Sequence, residues 1–434
     1  MGKGNGMAAV GVNRSWETAE ERERTIGAAR RARRTDLRPT RPPDADTLLK
    51  DMRSQRSITD SDLRRLITAD FDQPVVSLYI NLSPDDAVAP GKAARLELLN
   101  SMRHSELAAR RYLVDELAPI QKQLLERDLD ELETLLEIPD LRGQRSVVAF
   151  KSGHQLHRAA ALHVRTPDAL RVNIDPYVAP LETLLETHPP AIVVEVETEK
   201  AQLWTLRLGE LEEVDAIESF VPTETVDTSR PGKVQRHRLM HLVWLLKETA
   251  QLANRLLDEQ PRAVLILVGD ETVLAELDEH LPKQAAGRLA GRLPLDPGRD
   301  RAEFERRLEQ VLRDHRRAEE AAELESLGEY LAAGVLVAGM DAVLDVASRF
   351  LMRRLFIAGG LRQPGFVCKE HHYLSSAAGR CPFHDAELFP TADLVDELVE
   401  FSRLHGVELT MVEMLPERLE PHGGIAAVTY RQTD

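Results

Sequence analysis

The sequence has little of what marks secreted or membrane proteins. Its 434 residues include only two cysteines, Cys368 and Cys381, and two cysteines are a poor basis for a disulfide framework. It contains no run of about 18 uncharged apolar residues, and its N-terminus lacks the apolar core and small-residue cleavage site of a secretory signal. We therefore expect a cytoplasmic protein that does not associate with membranes.

An excess of positive charge is also absent, since the formal net charge is −16. Proteins that coat nucleic acid nonspecifically depend on Lys and Arg to neutralise phosphates, so any RNA contact must be local. The N-terminal segment differs, because residues 1–43 hold ten Lys or Arg against five Asp or Glu. Its glycine-rich start and arginine cluster indicate a mobile basic arm over residues 1–46. Such an arm either docks on RNA or stays solvated, and charged tails are more often solvated.

Several catalytic motifs are missing as well. We find no Walker loop, no dinucleotide-binding glycine pattern and no Ser or Cys nucleophile motif. The composition that is present, 43% apolar, 29% charged and 4% aromatic, is ordinary for a soluble globular protein. A chain of this length is long enough for two or three domains.

The pattern of apolar residues predicts a first α/β domain over residues 47–167. It begins with a helix at 59–67 and an alternating strand at 75–82. A long helical stretch at 93–136 follows, which Pro119 would interrupt. Two strand-like runs, 146–150 and 155–164, flank Ser152-Gly153, which has the turn chemistry of a hairpin.

A second α/β domain is predicted over residues 168–316, because strands and helices alternate there. A polar loop at 222–234 should lead into a long helix with one apolar stripe. The continuous apolar run at 263–268 predicts a strand buried on both faces. The other expected elements are strands at 172–174, 191–197 and 202–208 and a helix at 178–186. The stripe consists of Leu239, Leu242, Val243, Leu246, Ala250, Ala253 and Leu257.

A third α/β domain is predicted over residues 317–434. Residues 301–333 are charged and helical, and they would bridge from the second domain into the third. The remaining elements are a helix at 340–349, a strand at 354–358, a Cys/His segment, a helix at 392–405 and strands at 408–413 and 425–430.

Six short segments, in this order and at these distances, carry a family resemblance. They are PVVSLYIN at 74–81, SVVAF at 146–150, QRHR at 235–238, LFI at 355–357, the Cys/His segment and HGGIAA at 422–427. Together they are similar to the bacterial branch of the archaeal and eukaryotic class-1 release factor superfamily, which includes Pelota and the hibernation factor Balon.

This resemblance implies three α/β domains in an extended arrangement, with a ribonuclease H-like middle domain. The first domain would face the decoding centre, and the middle domain would reach toward the peptidyl-transferase centre. The third would contact the ribosomal stalk base or a translational GTPase such as elongation factor Tu. The implied partners are therefore the ribosome, its rRNA and tRNA.

Release factors of this superfamily carry Gly-Gly-Gln in a loop ahead of the long helix of the middle domain. Residues 228–235 occupy that place and read TSRPGKVQ. Gly232 and Gln235 are present, but Lys233 and Val234 separate them, so the motif is broken. On the functional interpretation Gln235 positions water for hydrolysis of peptidyl-tRNA, with a backbone N–H stabilising the oxyanion. On the alternative interpretation Gln235 is a solvated or capping residue at the start of the helix.

The same segment is a short basic tip on an acidic body, which is where local RNA binding would have to lie. Binding without hydrolysis is therefore the leading hypothesis: the protein would occupy the ribosomal A site during hibernation or rescue. Peptidyl-tRNA hydrolysis by Gln235 is the alternative. The predicted RNA-binding residues are Arg230, Gly232, Lys233, Arg236 and Arg238.

The Cys/His segment contains two Cys-x-x-His knuckles, Cys368 with His371 and Cys381 with His384, separated by nine residues. Thiolate and imidazole are a common ligand set of structural Zn²⁺, and each knuckle can present two ligands from one tight turn. His372 could replace His371. Four protein ligands leave no open position for catalysis, so the metal would brace a small lobe. The alternative is a pair of unmetallated cysteines in a loop.

Acidic residues near strand ends give a third hypothesis, a metal-dependent RNA nuclease. Glu195, Glu197 and Glu199 alternate along one strand, and Asp270 with Glu271 ends another; a ribonuclease H-like fold uses such carboxylates to hold two metal ions. A solvated sheet face is the commoner explanation. His237 and His241 are also spaced to chelate a metal, but no glutamate follows His237, so the metalloprotease pattern is absent.

Overall fold

The structure, a computed structural model, describes residues 58–69, 71–82, 91–136, 144–153, 155–218, 231–296, 298, 300–368 and 373–430. The predicted basic arm, residues 1–46, lies outside these ranges. The described residues form four sheets with helices packed against them, which confirms the predicted α/β class. Among these residues no helix is both long enough and apolar enough to cross a membrane.

The first unit is an antiparallel sheet of four strands with helices on both faces. Its elements are α1 (Asp60–Thr68), β1 (Val75–Asn81), α2 (Lys92–Ala109), α3 (Arg111–Glu116), α4 (Pro119–Leu136), β2 (Ser146–Ser152), β3 (Gln155–Leu162) and β4 (Ala169–Asn173). The strand order is β3-β2-β1-β4. Leu78 and Ile80 of β1 pack with α2, α3 and α4 on one face, whereas Tyr79 lies in a core on the other face.

Local sequence explains where these elements begin and end. Thr59 caps α1 by accepting from the backbone N–H of Asp62, whose side chain accepts in return from the backbone N–H of Thr59, and this reciprocal capping box fixes the helix start. Pro119 begins α4 and separates it from α3, as predicted. Gly153 has φ +57° in the β2–β3 turn, a conformation that glycine adopts without strain.

The first sheet extends beyond the predicted domain boundary at 167/168. Val172 lies in β4, which pairs antiparallel with β1, for example through Val76 opposite Val172. The prediction placed this strand at the start of the middle domain. That assignment was wrong because a period-two pattern predicts a strand but does not say which sheet the strand joins.

The middle unit is a mixed sheet in the order β7-β6-β5-β8-β9. Its elements are α5 (Ala179–Thr187), β5 (Ala191–Val196), β6 (Lys200–Arg207), β7 (Glu210–Glu218), α6 (Pro231–Glu259), β8 (Val264–Gly269), α7 (Glu271–His280), α8 (Lys283–Ala286) and β9 (Leu289–Pro294). Strands β5, β6 and β7 are antiparallel neighbours, whereas β8 and β9 run parallel to β5. This mixed sheet agrees with the ribonuclease H-like unit that the resemblance implies.

Strand β8 is buried on both faces, as its apolar run predicted. Leu265 and Leu267 pack with α6 and α7. Ile266 and Val268 point to the opposite face and pack with Phe304 and other residues of a long helix, α9 (Arg301–Ala332). Alternate side chains of β8 therefore pack in two different hydrophobic cores, one on each face of the sheet.

The third unit holds a four-stranded sheet in the order β10-β16-β11-β15 and a small sheet in the order β13-β12-β14. Its elements are β10 (Leu336–Ala338), α10 (Met340–Ser348), β11 (Met352–Ala358), β12 (Gly365–Val367), β13 (Leu374–Ser375), β14 (Phe389–Thr391), α11 (Leu394–His405), β15 (Glu408–Val412), a 3₁₀ helix (Pro416–His422) and β16 (Ile425–Thr429).

Helix α9 connects the middle and third units, as predicted. Its first half packs on the middle sheet, whereas Leu324 and Leu327 pack on the third sheet. Between them the fully buried Glu320 accepts hydrogen bonds from three successive backbone N–H groups, those of Glu413, Met414 and Leu415. A carboxylate that satisfies three buried donors fixes the helix on the third unit.

Helix α5 of the middle unit shares one hydrophobic core with the first and third units, which includes Tyr79, Leu181 and Leu398. At its edge Asp396 of α11 accepts from the backbone N–H groups of Val178 and Ala179, both at 2.8 Å. The junction therefore caps the start of α5 with a carboxylate from the third unit, a favourable position for negative charge.

Glu397 in this junction gives a pH prediction. Burial raises its pKa from the ordinary 4.5 to about 7, whereas the Thr391 hydroxyl, which donates to its carboxylate at 2.8 Å, lowers it. The pKa is also raised by Asp175 and Asp393 and lowered by Arg110. The folded state therefore keeps the proton on Glu397 up to a higher pH than the unfolded state does. The contribution of this group to the free energy of unfolding is lost as pH rises from about 4.5 to about 7.

We therefore expect Glu397→Gln, which keeps the hydrogen bond from Thr391, to raise the free energy of unfolding by about 1–3 kcal/mol at pH 8 and to change it little at pH 4. Denaturant melts at both pH values measure this. Glu417→Gln, at an exposed position, is the control. An equal gain at both pH values would show that the carboxylate charge is not responsible.

Candidate functional site

The predicted basic tip lies in the first turns of helix α6, not in a loop. The helix begins at Pro231, three residues before the predicted end of the polar loop. That prediction was wrong because proline has its φ fixed at a helical value and lacks the N–H that a first helical residue leaves unbonded, so it favours the N1 position. Gly232, Lys233, Arg236 and Arg238 are all helical. Arg230 and the side chains of residues 231–238 lie outside the described part of the structure.

Helical backbone at this position limits what Gln235 can do. In an α-helix the N–H of each residue from the fifth onward donates to the carbonyl four residues earlier. Gln235 is the fifth residue of α6, so its backbone N–H is directed to the carbonyl of Pro231. It is therefore not free to stabilise an oxyanion, which requires N–H groups aimed at the reacting atom.

The side chains of residues 239–244, the first of α6 that the structure describes, are exposed or half-buried. Leu245 and Leu246 are buried, whereas Leu239 is 53% exposed. Leu239 belongs to the predicted apolar stripe, but it is exposed, whereas Leu242 packs partly against the core of the middle unit. Helical periodicity predicts which face is apolar, but not how far the neighbouring sheet extends.

A stripe of exposed side chains runs along this part of α6, and it was not predicted from the sequence. Met240 and Trp244 are 67% and 48% exposed, and Lys247 is exposed as well. Met240 and Trp244 are four residues apart, and Trp244 and Lys247 are three apart, so the three side chains lie on one face. Trp244 could have indicated this exposed stripe, because it is a large apolar residue that lies outside the predicted apolar stripe of the helix. A tryptophan and a lysine on one exposed face can contact a base and a phosphate.

A second site brings together three of the four predicted metal ligands. The donor atoms of Cys368, Cys381 and His384 all lie within 4.8 Å of one another. The two thiols are buried, with 3% and 1% of their residues' surface exposed. His371 and His372, the alternatives for the fourth ligand, lie outside the described residues.

Short strands and turns hold these ligands in place. Cys368 follows β12, and its backbone N–H donates to the carbonyl of Tyr373 at 2.8 Å. Cys381 starts a tight turn in which its N–H donates to the carbonyl of Ala386 and its carbonyl accepts from the N–H of Asp385. The turn places His384 beside Cys368.

The donor set and its spacing fit a tetrahedral zinc ion. Zinc–sulfur bonds of about 2.3 Å and zinc–nitrogen bonds of about 2.1 Å place neighbouring ligand atoms about 3.6–3.8 Å apart. The Cys368 sulfur and the His384 Nε2 are 3.9 Å apart. Two thiols and an imidazole therefore converge with room for a metal ion between them.

The carboxylates of the nuclease hypothesis are not gathered in this way. Asp270 is the N-cap of α7, and hydrogen bonds from the hydroxyl and the backbone N–H of Thr272 lower its pKa. Glu197 pairs with Lys200 at 3.0 Å, and Glu195 is buried in β5. Within the described ranges, Cys368, Cys381 and His384 are the one group of three or more such side chains placed to hold a metal. His241 is half-buried, and the side chain of His237 is not among those described.

Comparison with known proteins agrees with the sequence resemblance. The model of the bacterial archaeo-eukaryotic release factor family 10 matches residues 176–320, a segment that contains the middle sheet, α6 and most of α9. No curated protein matches the chain.

Three solved structures also resemble it. The archaeal translation termination factor aRF1 is 17% identical with a TM-score of 0.22, covering 86% of this chain and 99% of its own. An archaeal Pelota, from a model of the ribosome-bound protein with ABCE1, is 16% identical with a TM-score of 0.37, covering 55% of this chain and 61% of its own. Dom34 from S. cerevisiae, a translation termination-like factor, is 11% identical with a TM-score of 0.35, covering 58% of this chain and 66% of its own.

The matched segment contains the broken Gly-Gly-Gln region and the long helix on which the resemblance depended. Residues 176–320 of this chain are therefore similar to the bacterial archaeo-eukaryotic release factor family 10.

Proposed function

We propose that this protein is a translation factor that occupies the ribosomal A site in hibernation or rescue without hydrolysing peptidyl-tRNA. The observation that carries the proposal is helix α6, which begins with a basic sequence and continues into a stripe of exposed side chains, Met240, Trp244 and Lys247. The family match supports a translation factor. The proposed partners are the ribosome, its rRNA and tRNA, in the cytoplasm. A translational GTPase of the elongation factor Tu type would dock separately, as the resemblance implies.

The distribution of charge supports a contact of limited area. The whole chain carries a net charge of −16, so general attraction to the phosphate backbone would be unfavourable. The N-terminal end of α6 and the residue before it contain four basic residues within nine positions: Arg230, Lys233, Arg236 and Arg238. Such a tip can place itself among phosphates while the acidic body stays away from them.

The backbone of α6 favours binding over hydrolysis. The superfamily's reaction needs a glutamine in a flexible loop and free N–H groups close to the ester. Here Gln235 is in the second turn of a helix and its N–H is directed to a carbonyl. Peptidyl-tRNA hydrolysis is the rival function: rapid single-turnover release that is lost in Gln235→Ala would establish it and overturn our proposal.

Trp244 provides a test of the exposed stripe. Stacking of an aromatic side chain on a base contributes about 1–3 kcal/mol, so Trp244→Ala should weaken ribosome binding by roughly five- to 100-fold. The measurement is a binding titration of labelled protein with 70S ribosomes at fixed salt. Ile120→Ala, another exposed apolar residue, in the first unit, is the matched control. Equal affinities of the two variants would exclude the stripe from the interface.

We also propose that Cys368, Cys381 and His384 bind structural Zn²⁺, with His371 or His372 as the fourth ligand. The convergence of two buried thiols and an imidazole supports this. Four protein ligands would close the coordination sphere, so the ion would stabilise the lobe around β12, β13 and β14 and take no part in catalysis.

A further inference from the structure

A cleft of about 380 Å³ lies between the first and middle units. The first unit contributes Arg145 and Arg165, and the segment after α5 contributes His188. The β6–β7 turn and one face of α9 form the other walls. The volume is within the range of about 300–1,000 Å³ that is common for small-ligand sites.

The charge of this cleft is opposite to that of the protein. Arg145, Arg165, Arg306 and Arg313 line it together with a single carboxylate, that of Glu309. Glu309 reaches Arg145 only at 3.9 Å. Within the described part of the chain, Arg306 and Arg313 have no ion pair. Four guanidinium groups facing one carboxylate, in a chain of net charge −16, form a local site for an anion with several oxygens.

His188 adds a neutral polar group to the wall. Burial lowers its pKa, and the nearby Arg313 and Arg145 lower it further. Its Nδ1 lies 2.9 Å from the Thr187 hydroxyl and 3.3 Å from the carbonyl oxygen of Leu184. A neutral imidazole has one donor and one acceptor nitrogen, so His188 suits a neutral polar group of a ligand better than a phosphate.

The remaining wall is apolar and fixed in position. Leu206, Leu208 and Leu312 line it. The turn between β6 and β7 has positive φ at Leu208 and at Gly209, 45° and 78°. A Cβ on Gly209 would lie 2.9 Å from the Cβ of His163, so the turn of the middle unit packs directly against the first unit at this point.

We propose that this cleft binds a nucleoside phosphate, with its phosphates on Arg145, Arg306 and Arg313 and its base against the leucine wall. An anion without a base would leave the apolar wall exposed to water. A purely apolar ligand would leave Arg306 and Arg313 facing it without an anion. Because both units line the cleft, the bound ligand would hold them in one relative position.

Isothermal titration calorimetry with the full chain and no ribosomes tests this, so its outcome is independent of ribosome binding. The probes are ATP, ADP, GTP and GDP, with inorganic pyrophosphate as the comparison that lacks a base. At least one nucleotide should bind with a Kd of about 100 µM or tighter, and at least tenfold more tightly than pyrophosphate, on the order expected for burial of a base.

The variant Arg306→Ala/Arg313→Ala should weaken that binding by about 20-fold or more. Both residues are exposed on α9, so the fold should persist, and a thermal melt checks this. Arg317→Ala, exposed on the same helix but outside the cleft, should change the affinity less than about twofold. The proposal is overturned if no nucleotide binds, if pyrophosphate binds as tightly as the nucleotides, or if the double variant binds like Arg317→Ala.

Discussion

Arg403→Ala is expected to lower the free energy of unfolding by about 3–5 kcal/mol at pH 7, because it leaves a buried carboxylate without its partner. Arg403 of α11 donates through two guanidinium nitrogens to Glu182 of α5, the Nε–Oε2 distance being 2.8 Å. Glu182 is fully buried. Burial raises its pKa, and the hydrogen bond from Arg403 opposes that rise. Loss of Arg403 would therefore raise the pKa of Glu182 further.

The pH dependence of this loss follows from that direction. Above the raised pKa the variant must bury a charged Glu182, so the full loss is present. As pH falls through the raised pKa, Glu182 takes up a proton and the loss becomes smaller. Denaturant melts of both proteins from pH 5 to pH 8 measure it.

Two further variants separate charge from packing. Arg349→Ala removes an exposed ion pair with Asp345, 2.8 Å long, and should cost less than about 0.5 kcal/mol. Glu182→Leu/Arg403→Met replaces the buried pair by apolar groups and should recover most of the loss. If Arg403→Ala costs no more than Arg349→Ala, the pair does not hold α11 of the third unit on α5 of the middle unit.

Cys381→Ser should abolish metal binding by the third unit. If the ligands hold Zn²⁺ as proposed, protein purified without chelator contains about one zinc per chain, and the variant contains almost none, because serine is a poor zinc ligand. Structural zinc sites contribute as much as about 10–16 kcal/mol to the folding of zinc-finger peptides. The strand pairing of β12 with β13 and β14 should leave part of this lobe folded, so the loss of stability should be smaller here.

Elemental analysis of the purified protein measures the ratio. Phe383→Ala changes an exposed residue between Cys381 and His384 and should leave the zinc content unchanged. A ratio near zero in the unaltered protein, or an unchanged ratio in Cys381→Ser, would contradict the zinc site.

Elements whose pattern is local were predictable from the sequence. Thr59, Pro119 and Gly153 mark element ends through their own backbone chemistry, and the run at 263–268 is the buried strand β8. Strand β7 was missed because, among the described strands, it pairs with β6 alone and buries little. Its exposed acidic residues therefore hide the alternation. A strand at the edge of a sheet need not carry an apolar pattern.

Contacts between distant segments were not predictable. Tyr177 donates to Asp393 across 216 residues, and neither residue stands out in its own segment. The arginine cleft has the same origin, since Arg145 and Arg313 approach each other only when the first and middle units pack. The proximity of Cys368, Cys381 and His384 was predictable because their spacing is short and their chemistry is distinctive.

The central claim is that the basic N-terminal end of α6 binds the ribosome. Co-sedimentation with 70S ribosomes across a salt series tests it most directly. The unaltered protein should pellet with ribosomes at low salt, and Lys233→Ala/Arg236→Ala/Arg238→Ala should bind more weakly with a salt dependence reduced by about two to three charges. If the unaltered protein stays in the supernatant at low salt, or if the triple variant pellets equally well at every salt concentration, the claim is wrong.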